Sequence, residues 1–342
     1  MPDVNAAAAS SSKILSVRDL KLHYFTSKGV VRALDGVSFD LAPGETLGLV
    51  GESGCGKTTT GVALLNMPSP PGKIVEGSIQ IDGAEIVGMR DHDLRRSVRW
   101  SKISMVFQGA MNCLTPVYTI RALMLETFRE HAETARLEGA EAESLLKHYM
   151  NMVGLPEHVL GRYPHELSGG MKQRVVIAMA LFLEPKVVIM DEPTTALDVI
   201  VQAQILNLIK ALKRSLNLSY LFITHDLATE AEVADRIMVM YAGKVAEIGT
   251  NQQIFGHQGP VHPYTQKLLS ATPRLHKKVS ELAFIPGAPP DLIDPPPGCR
   301  FAPRCSFAKE KCRSQEPRTT ALQPDHVVAC WKAVEDAEYA RA

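Results

Sequence analysis

Residues 51–58, GESGCGKT, carry the spacing G-x-x-x-x-G-K-[ST], and the chemistry of that spacing is the holding of phosphate. Gly51, Gly54 and Gly56 let backbone N–H groups curl around phosphate oxygens, and a helix opening at the lysine adds the positive end of its dipole. Lys57 suits the β- and γ-phosphates and the Thr58 hydroxyl suits Mg2+; Ser53, Cys55 and Thr59 complete the cradle. A second stretch, KVVIMDE at 186–192, ends an apolar run in Asp191 and Glu192. Such a run places two carboxylates at the carboxyl edge of a sheet, where ligands of open α/β folds sit. Asp191 suits Mg2+, directly or through water, and Glu192 suits a general base for an attacking water. A glycine-rich turn and two solvated acids before Pro193 are the bland alternatives. They lose ground when both stretches stand in one chain, each in its strand context.

A third stretch, GCRFAPRCSFAKEKC at 298–312, holds three of the six cysteines, and Cys330 follows. Cys299, Cys305, Cys312 and Cys330 are separated by five, six and seventeen residues. Structural zinc sites favour C-x2–4-C pairs, whereas wider, loop-borne spacing gives four thiolates room around a larger inorganic core. An iron–sulfur cluster, zinc and free thiols all remain open on spacing alone. Cys55, inside the phosphate loop, and Cys113 look unrelated to this group.

The elements that must position these residues are legible as alternating strands and helices. Residues 14–50 read as β-like runs that end in the buried ETLGLV; GSIQIDGAEI, at 77–86, is a further β-like patch. From about 88 to 165 the sequence turns charged and helical. Then follow a helix over 168–184, the strand KVVIMD, the helix DVIVQAQILNLIKALKRSL, the strand SYLFIT and the strand-like RIMVMYAGKVAEIG. This alternation predicts a mainly parallel sheet covered on both faces. After about 255 the chain becomes rich in proline and loops, with IPGAPPDLIDPPPG as a linker to the cysteines. No internal repeat is visible.

The 342 residues, 45% of them hydrophobic, suffice for a large α/β domain with an appendage. The zero net charge gives no global field towards nucleic acid or an anionic membrane. The opening MPDVNAAAASSSK lacks a basic n-region and reads as a disordered leader. The longest apolar run, VVIAMALFL, is about half a bilayer span. These features predict a reducing compartment, which disfavours a disulfide knot at the tail.

The stretch LSGGMKQRVVIAMAL at 167–181 narrows the choice among phosphate-loop proteins. Ser168 can cap a helix that opens at Gly169 and Gly170, making a second anion-binding N-terminus in the same chain. Here the sequence resembles the ATP-binding subunits of ABC transporters from about 14 to 255. Tyr24 looks like the aromatic that stacks on adenine, Gln108 like the Q-loop glutamine, TALD at 195–198 like the D-loop ending in Asp198, and His225 like the switch histidine. The resemblance implies ATP and Mg2+ as cofactors, Gln108 beside Thr58 and Asp191 at the metal, and Glu192, His225 and Gln108 in catalysis. It also implies head-to-tail pairing, with Ser168 and Gly170 serving the partner's nucleotide. The fold it implies is α/β: a P-loop NTPase with a mainly parallel sheet core, an antiparallel β subdomain and an inserted helical subdomain (about 88–165). A small loop-rich metal-binding tail would complete it.

Further stretches, VFQGAMNCLTPVYTI at 106–120 and HPYTQKLLSATP at 262–273, together with the cysteine tail, resemble the oligopeptide/dipeptide/nickel importer ATPases. Met171 and IAMAL look most like the D-type subunit of a D–F pair. On this resemblance the chain divides into a leader (1–13), an ATP-binding domain (14–255) and an extension (256–342) whose four cysteines hold a [4Fe–4S] cluster, with zinc as the alternative. The implied partners are a second, F-type ATPase subunit, two permease subunits that dock on the helical segment, and an extracytoplasmic solute-binding protein, at the cytoplasmic face of the membrane. Relatives import nickel or oligosaccharides as well as peptides. An ABC protein of DNA repair or translation is disfavoured, since no basic stripe supports nucleic-acid contacts, and a P-loop kinase is disfavoured by LSGG.

Overall fold

The computed structural model describes residues 13–131, 139–271 and 285–341; the leader expected over 1–13 falls outside them except for Lys13. Strands β1 (Leu15–Thr26) and β2 (Gly29–Leu41) alternate buried and more exposed residues, the period of a sheet with one covered face, and pair antiparallel. The chain then enters β3 (Thr46–Val50), buried at every position, and the helix α1 (Lys57–Leu64). It returns to the first sheet with β4 (Gly72–Ile81) and β5 (Ala84–Glu85), giving the order β2-β1-β4-β5.

After a short helix α2 (Asp91–Ser97) come the remaining parallel strands. They are β6 (Ile103–Val106), β7 (Val187–Asp191), β8 (Ser219–Ile223) and β9 (Arg236–Tyr241). With β3 they run parallel in the order β9-β3-β8-β7-β6. Their near-continuous apolar sequence is what burial on both faces requires. Within the range 88–165 the structure therefore holds a strand of the main sheet, β6, as well as the helices α3 (Ile120–His131) and α4 (Ala140–Met152). The helix expected over 168–184 is α5 (Gly169–Ala180), which stops short because residues 181–186 turn into β7.

The two faces of the main sheet carry separate cores. On one, Leu22, Leu34 and Phe39 of the antiparallel sheet meet Leu47, Leu49, Ile189 and Leu221, with Ala63 and Leu64 of α1 between them. On the other, Val188, Met190, Tyr220 and Phe222 meet Met124, Leu146, Tyr149, Val175 and Ile177 from α3, α4 and α5. Helix α6 (Val199–Leu216) adds Ile205 and Ile209 there, and its start is capped by Asp198. Each fully buried leucine contributes about 1.5–3 kcal/mol relative to an exposed one.

The last part of the main sheet belongs to the C-terminal region. Helix α7 (Leu227–Val233) leads into β9, and β10 (Lys244–Thr250) pairs antiparallel with it. Helices α8 (Asn251–Phe255) and α9 (Pro263–Ser270) follow. A hairpin of β11 (Thr320–Gln323) and β12 (His326–Val328) then adds to the sheet through β10, flanked by α10 (Glu310–Ser314) and α11 (Trp331–Arg341). The loop-rich tail read from the sequence thus contributes two strands to the main sheet. Phe301 also packs against Tyr241 of β9 and Tyr264 of α9, with ring centroids 5.2 and 5.3 Å away.

Glu247 of β10 fixes this arrangement. Its side chain is fully buried; Oε1 accepts from Val261 N at 2.8 Å and lies 2.8 Å from His326 Nε2, while Oε2 accepts from His262 N at 3.2 Å. Glu247→Ala strands three polar groups, two of them buried, and is expected to loosen the region beyond 256 by about 3–5 kcal/mol. Limited proteolysis should then cleave that region faster while the core of α1 to α7 keeps its protection. Unchanged protection would contradict the anchor.

Candidate functional site

Strand β3 delivers the loop 51–56 to the carboxyl edge of the sheet, and the backbone there takes conformations that only glycine adopts without strain. Gly51 has φ 150°, and a Cβ on it would lie 2.3 Å from the Met240 carbonyl oxygen. Gly56, at φ 108°, is the N-cap of α1 and would put a Cβ 2.9 Å from the Ala33 carbonyl oxygen. Lys57 Nζ donates to the carbonyls of Gly51 at 2.7 Å and Glu52 at 3.1 Å, so the lysine folds across its own loop. Ser53, Gly54 and Thr58 are exposed, while Cys55 and Gly56 are buried and Thr59 is half-buried. Burial pushes the Cys55 thiol pKa up, against the neighbouring Lys57.

Three other strand ends deliver the polar side chains. Glu192, directly after β7, sits at φ 49° in the left-handed region, which turns its side chain into the site. Gln108 Nε2, two residues after β6, donates to Glu192 Oε2 at 2.8 Å. His225 Nδ1, two residues after β8, lies 3.1 Å from Glu192 Oε1. Thr195 Oγ1 donates to Glu192 Oε2 at 2.9 Å. The structure thus gathers Gln108, Glu192 and His225 on one carboxylate. Thr195 is a member that residue chemistry alone had not singled out, although it opens the TALD stretch.

Asp191, the last residue of β7, is 1% exposed, and among the described residues neither carboxylate oxygen has a hydrogen-bond partner of ordinary geometry. Burial raises its pKa first and the Glu192 charge adds to this, while the Thr58 hydroxyl acts the other way. An orphaned buried carboxylate beside an exposed hydroxyl at a phosphate loop is a donor set that fits a divalent cation.

Other residues stand apart from this centre. Ser168 caps α5, its Oγ accepting from Met171 N at 3.3 Å. Gly170 packs so closely on α6 that a Cβ would lie 2.6 Å from Val201 Cγ1, and at Gly169 one would lie 3.2 Å from Leu197 Cδ2. The LSGG helix start is therefore seated on the segment that follows Thr195. Asp198 spends its Oδ1 on the Val201 N–H as a helix cap, at 3.0 Å. Tyr24 is half-buried on β1, where a Cβ on Gly72 would come within 2.7 Å of its Cε1.

Cys299, Cys305, Cys312 and Cys330 all line one pocket, walled by Phe301, Phe307 and Trp331. All four are free thiols. Burial pushes Cys299 up to about 11 and also raises Cys305 and Cys330, with the neighbouring cysteines adding to each. Among the described residues, however, no group of three or more His, Cys, Asp or Glu is disposed to hold a metal ion. The metal-binding part of the expected tail is therefore not evident in the geometry, although its thiols converge. Glu52, Tyr264 and Arg304, which brace the phosphate loop, were not legible in the sequence, because the partners lie more than two hundred residues apart.

Comparisons with known proteins bear on the family. Residues 34–195 match the ABC transporter family, and residues 246–312 match the family described as oligopeptide/dipeptide transporter, C-terminal region. The dipeptide transport ATP-binding protein DppD of Bacillus subtilis is 45% identical over 331 residues, covering 96% of this chain and 97% of that protein. The oligopeptide transport ATP-binding protein OppD of Haemophilus influenzae is 44% identical over 324 residues, covering 94% of this chain and 98% of that one. Among solved structures, a dimeric ATP-binding cassette in a post-hydrolysis state with ADP and phosphate superposes with a TM-score of 0.61. Its identity is 27%, and the match covers 70% of this chain and all of that one. The phosphate loop, the carboxylate gathered by three strand ends and these matches lead to one conclusion: the chain belongs to the ABC transporter ATP-binding proteins, in the branch that carries the oligopeptide/dipeptide transporter C-terminal region.

Proposed function

We propose that the chain is the ATP-hydrolysing subunit of a peptide importer. The observation that carries this reading is the meeting of Gln108, Thr195 and His225 on the Glu192 carboxylate beside a phosphate loop. The N–H groups of 51–56 and the start of α1 would hold the triphosphate, with Lys57 leaving its carbonyl partners for the β- and γ-phosphate oxygens. Thr58, Asp191 and Gln108 would hold Mg2+, which when bound neutralises phosphate charge and fixes the γ-phosphoryl geometry. Glu192 takes a proton from water as the water oxygen bonds to the γ-phosphorus and the bond to the β-phosphate oxygen breaks. Gln108 and Thr195 aim its Oε2; His225 aims its Oε1 and keeps Nε2 as the ring's second polar atom, suited to a γ-phosphate oxygen. Tyr24 would stack on adenine.

Ser168, Gly169, Gly170 and Asp198 are assigned to the nucleotide of a second ATPase subunit, an F-type chain, packed head to tail. Two permease subunits and an extracytoplasmic binding protein complete the assembly, with this chain peripheral on the cytoplasmic face. Support comes from the names of the relatives and from the absence, among the described residues, of any helix long and apolar enough to cross a membrane. In the extension, the convergence of Cys299, Cys305, Cys312 and Cys330 on one aromatic-walled pocket supports ligation of a [4Fe–4S] cluster. Such a cluster, when bound, would tie together loops that have few apolar residues of their own.

Two outcomes are expected. Glu192→Gln should lower ATP turnover at least about a hundredfold while MgATP binding stays within a few-fold of wild type; normal turnover would remove Glu192 from its role. Protein purified without oxygen should carry iron and sulfide with a broad visible absorption that Cys305→Ser/Cys312→Ser abolishes. Colourless protein with one equivalent of zinc would overturn the cluster.

A further inference from the structure

The phosphate loop is gripped from outside the ATP-binding domain. Arg304, buried at the centre of the cysteine-bearing loop, presents a fork to Glu52: Nη1 to Oε2 at 2.6 Å and Nη2 to Oε1 at 2.9 Å. Its other donors are also used. Nη1 reaches Tyr241 Oη at 3.1 Å, Nη2 the Ile285 carbonyl at 3.2 Å and Nε the Pro286 carbonyl at 2.8 Å. Lys267 Nζ donates to the Arg304 carbonyl at 3.0 Å, so the residue is fixed at both ends.

Glu52 is held just as fully. Its N–H donates to Tyr264 Oη at 2.9 Å, and its carbonyl accepts from Lys57 Nζ at 3.1 Å. Lys57, the cation for the phosphates, therefore bonds to a residue whose place is set by two residues of the C-terminal region. Charge matters as well as position. Glu52 is a carboxylate inside the loop that must receive a polyanion, and a bidentate guanidinium is the arrangement that cancels that charge and fixes its direction.

We infer that Arg304 is a positioning residue for ATP, neutralising and orienting Glu52 so that the phosphate loop accepts the triphosphate, which makes the C-terminal region a working part of the nucleotide site. This rests on the reading of 51–58 as the ATP site. Without Arg304, Glu52 turns a bare carboxylate towards the phosphates, and nucleotide affinity falls by charge repulsion. Chemistry at Glu192 lies on other strands and is left in place.

The test measures MgATP binding to the full chain by titration calorimetry for wild type, Arg304→Gln, Glu52→Gln and the double variant. Arg304→Gln should raise Kd about tenfold, and the increase should shrink as salt screens the repulsion. Glu52→Gln should weaken binding less than Arg304→Gln, because it breaks the fork without leaving a bare carboxylate. The double variant should return to within a few-fold of wild type, because it leaves neither a bare carboxylate nor an unpaired buried guanidinium. Arg304→Lys, which keeps charge but not the fork, should fall between wild type and Arg304→Gln and reports on the clamp even if the glutamine variant folds poorly. In turnover the loss should appear in KM, with kcat near wild type. Wild-type affinity in Arg304→Gln, or a double variant as weak as Arg304→Gln, would overturn the inference. Failure of the wild-type chain to bind MgATP would instead overturn the site reading itself, and this inference with it.

Discussion

The carboxylate of Glu192 is the point through which the rest of the structure acts. It is reached by side chains from neighbouring parallel strands, and the register of those strands decides whether they can meet. Val106 of β6 pairs with Met190 of β7, and Asp191 of β7 pairs with Ile223 of β8. Gln108, Glu192 and His225 therefore leave the sheet within a residue or two of the same edge. Leu49 of β3 pairs with Ile223, so Gly51 begins its loop at that edge too. Shifting any strand by one residue would carry its polar terminus about 3.3 Å along the edge and out of reach of Glu192. The packing that fixes the sheet is thus what fixes the site.

A second constraint concerns the two helix N-termini that suit phosphate. The α1 start opens directly into the loop 51–56, but the α5 start is seated on Leu197 and Val201, with Ser168 and Gly169 exposed. Beside it Val199 and Ile200 are 80% and 73% exposed, an unusual placement for two β-branched apolar residues at the head of a helix. On the proposed reading this face is covered by the other ATPase subunit, and each chain supplies part of two nucleotide sites. The C-terminal region adds its own share through Arg304 and Tyr264, both bonded to Glu52.

Much of this was legible in the sequence, for identifiable reasons. Apolar runs that end in glycine or acid, such as ETLGLV and KVVIMDE, announce buried strands and their polar edge by local pattern alone. The phosphate loop announces itself by spacing. Gln108 and His225 carry no such signal; they were found through resemblance, and the structure explains them by bringing both to Glu192. Thr195, and the pairing of Glu52 with Arg304, were illegible because they depend on contacts between distant segments, 252 residues apart in the second case. The β11–β12 hairpin was missed for a related reason: its strands are short, and what stabilises them is the exposed edge of β10. The cysteine spacing foretold a cluster of thiols, and the four thiols do share a pocket.

The central claim is that hydrolysis centred on Glu192 requires the helix start at Ser168 from another ATPase subunit. It is tested most directly by the ATP turnover rate per chain as the purified protein is diluted about a hundredfold, alone and with the companion subunit added. The account requires the per-chain rate of the isolated protein to fall towards zero on dilution and to recover when the companion is supplied. A full per-chain rate that stays constant across the dilution, with no companion present, would contradict it.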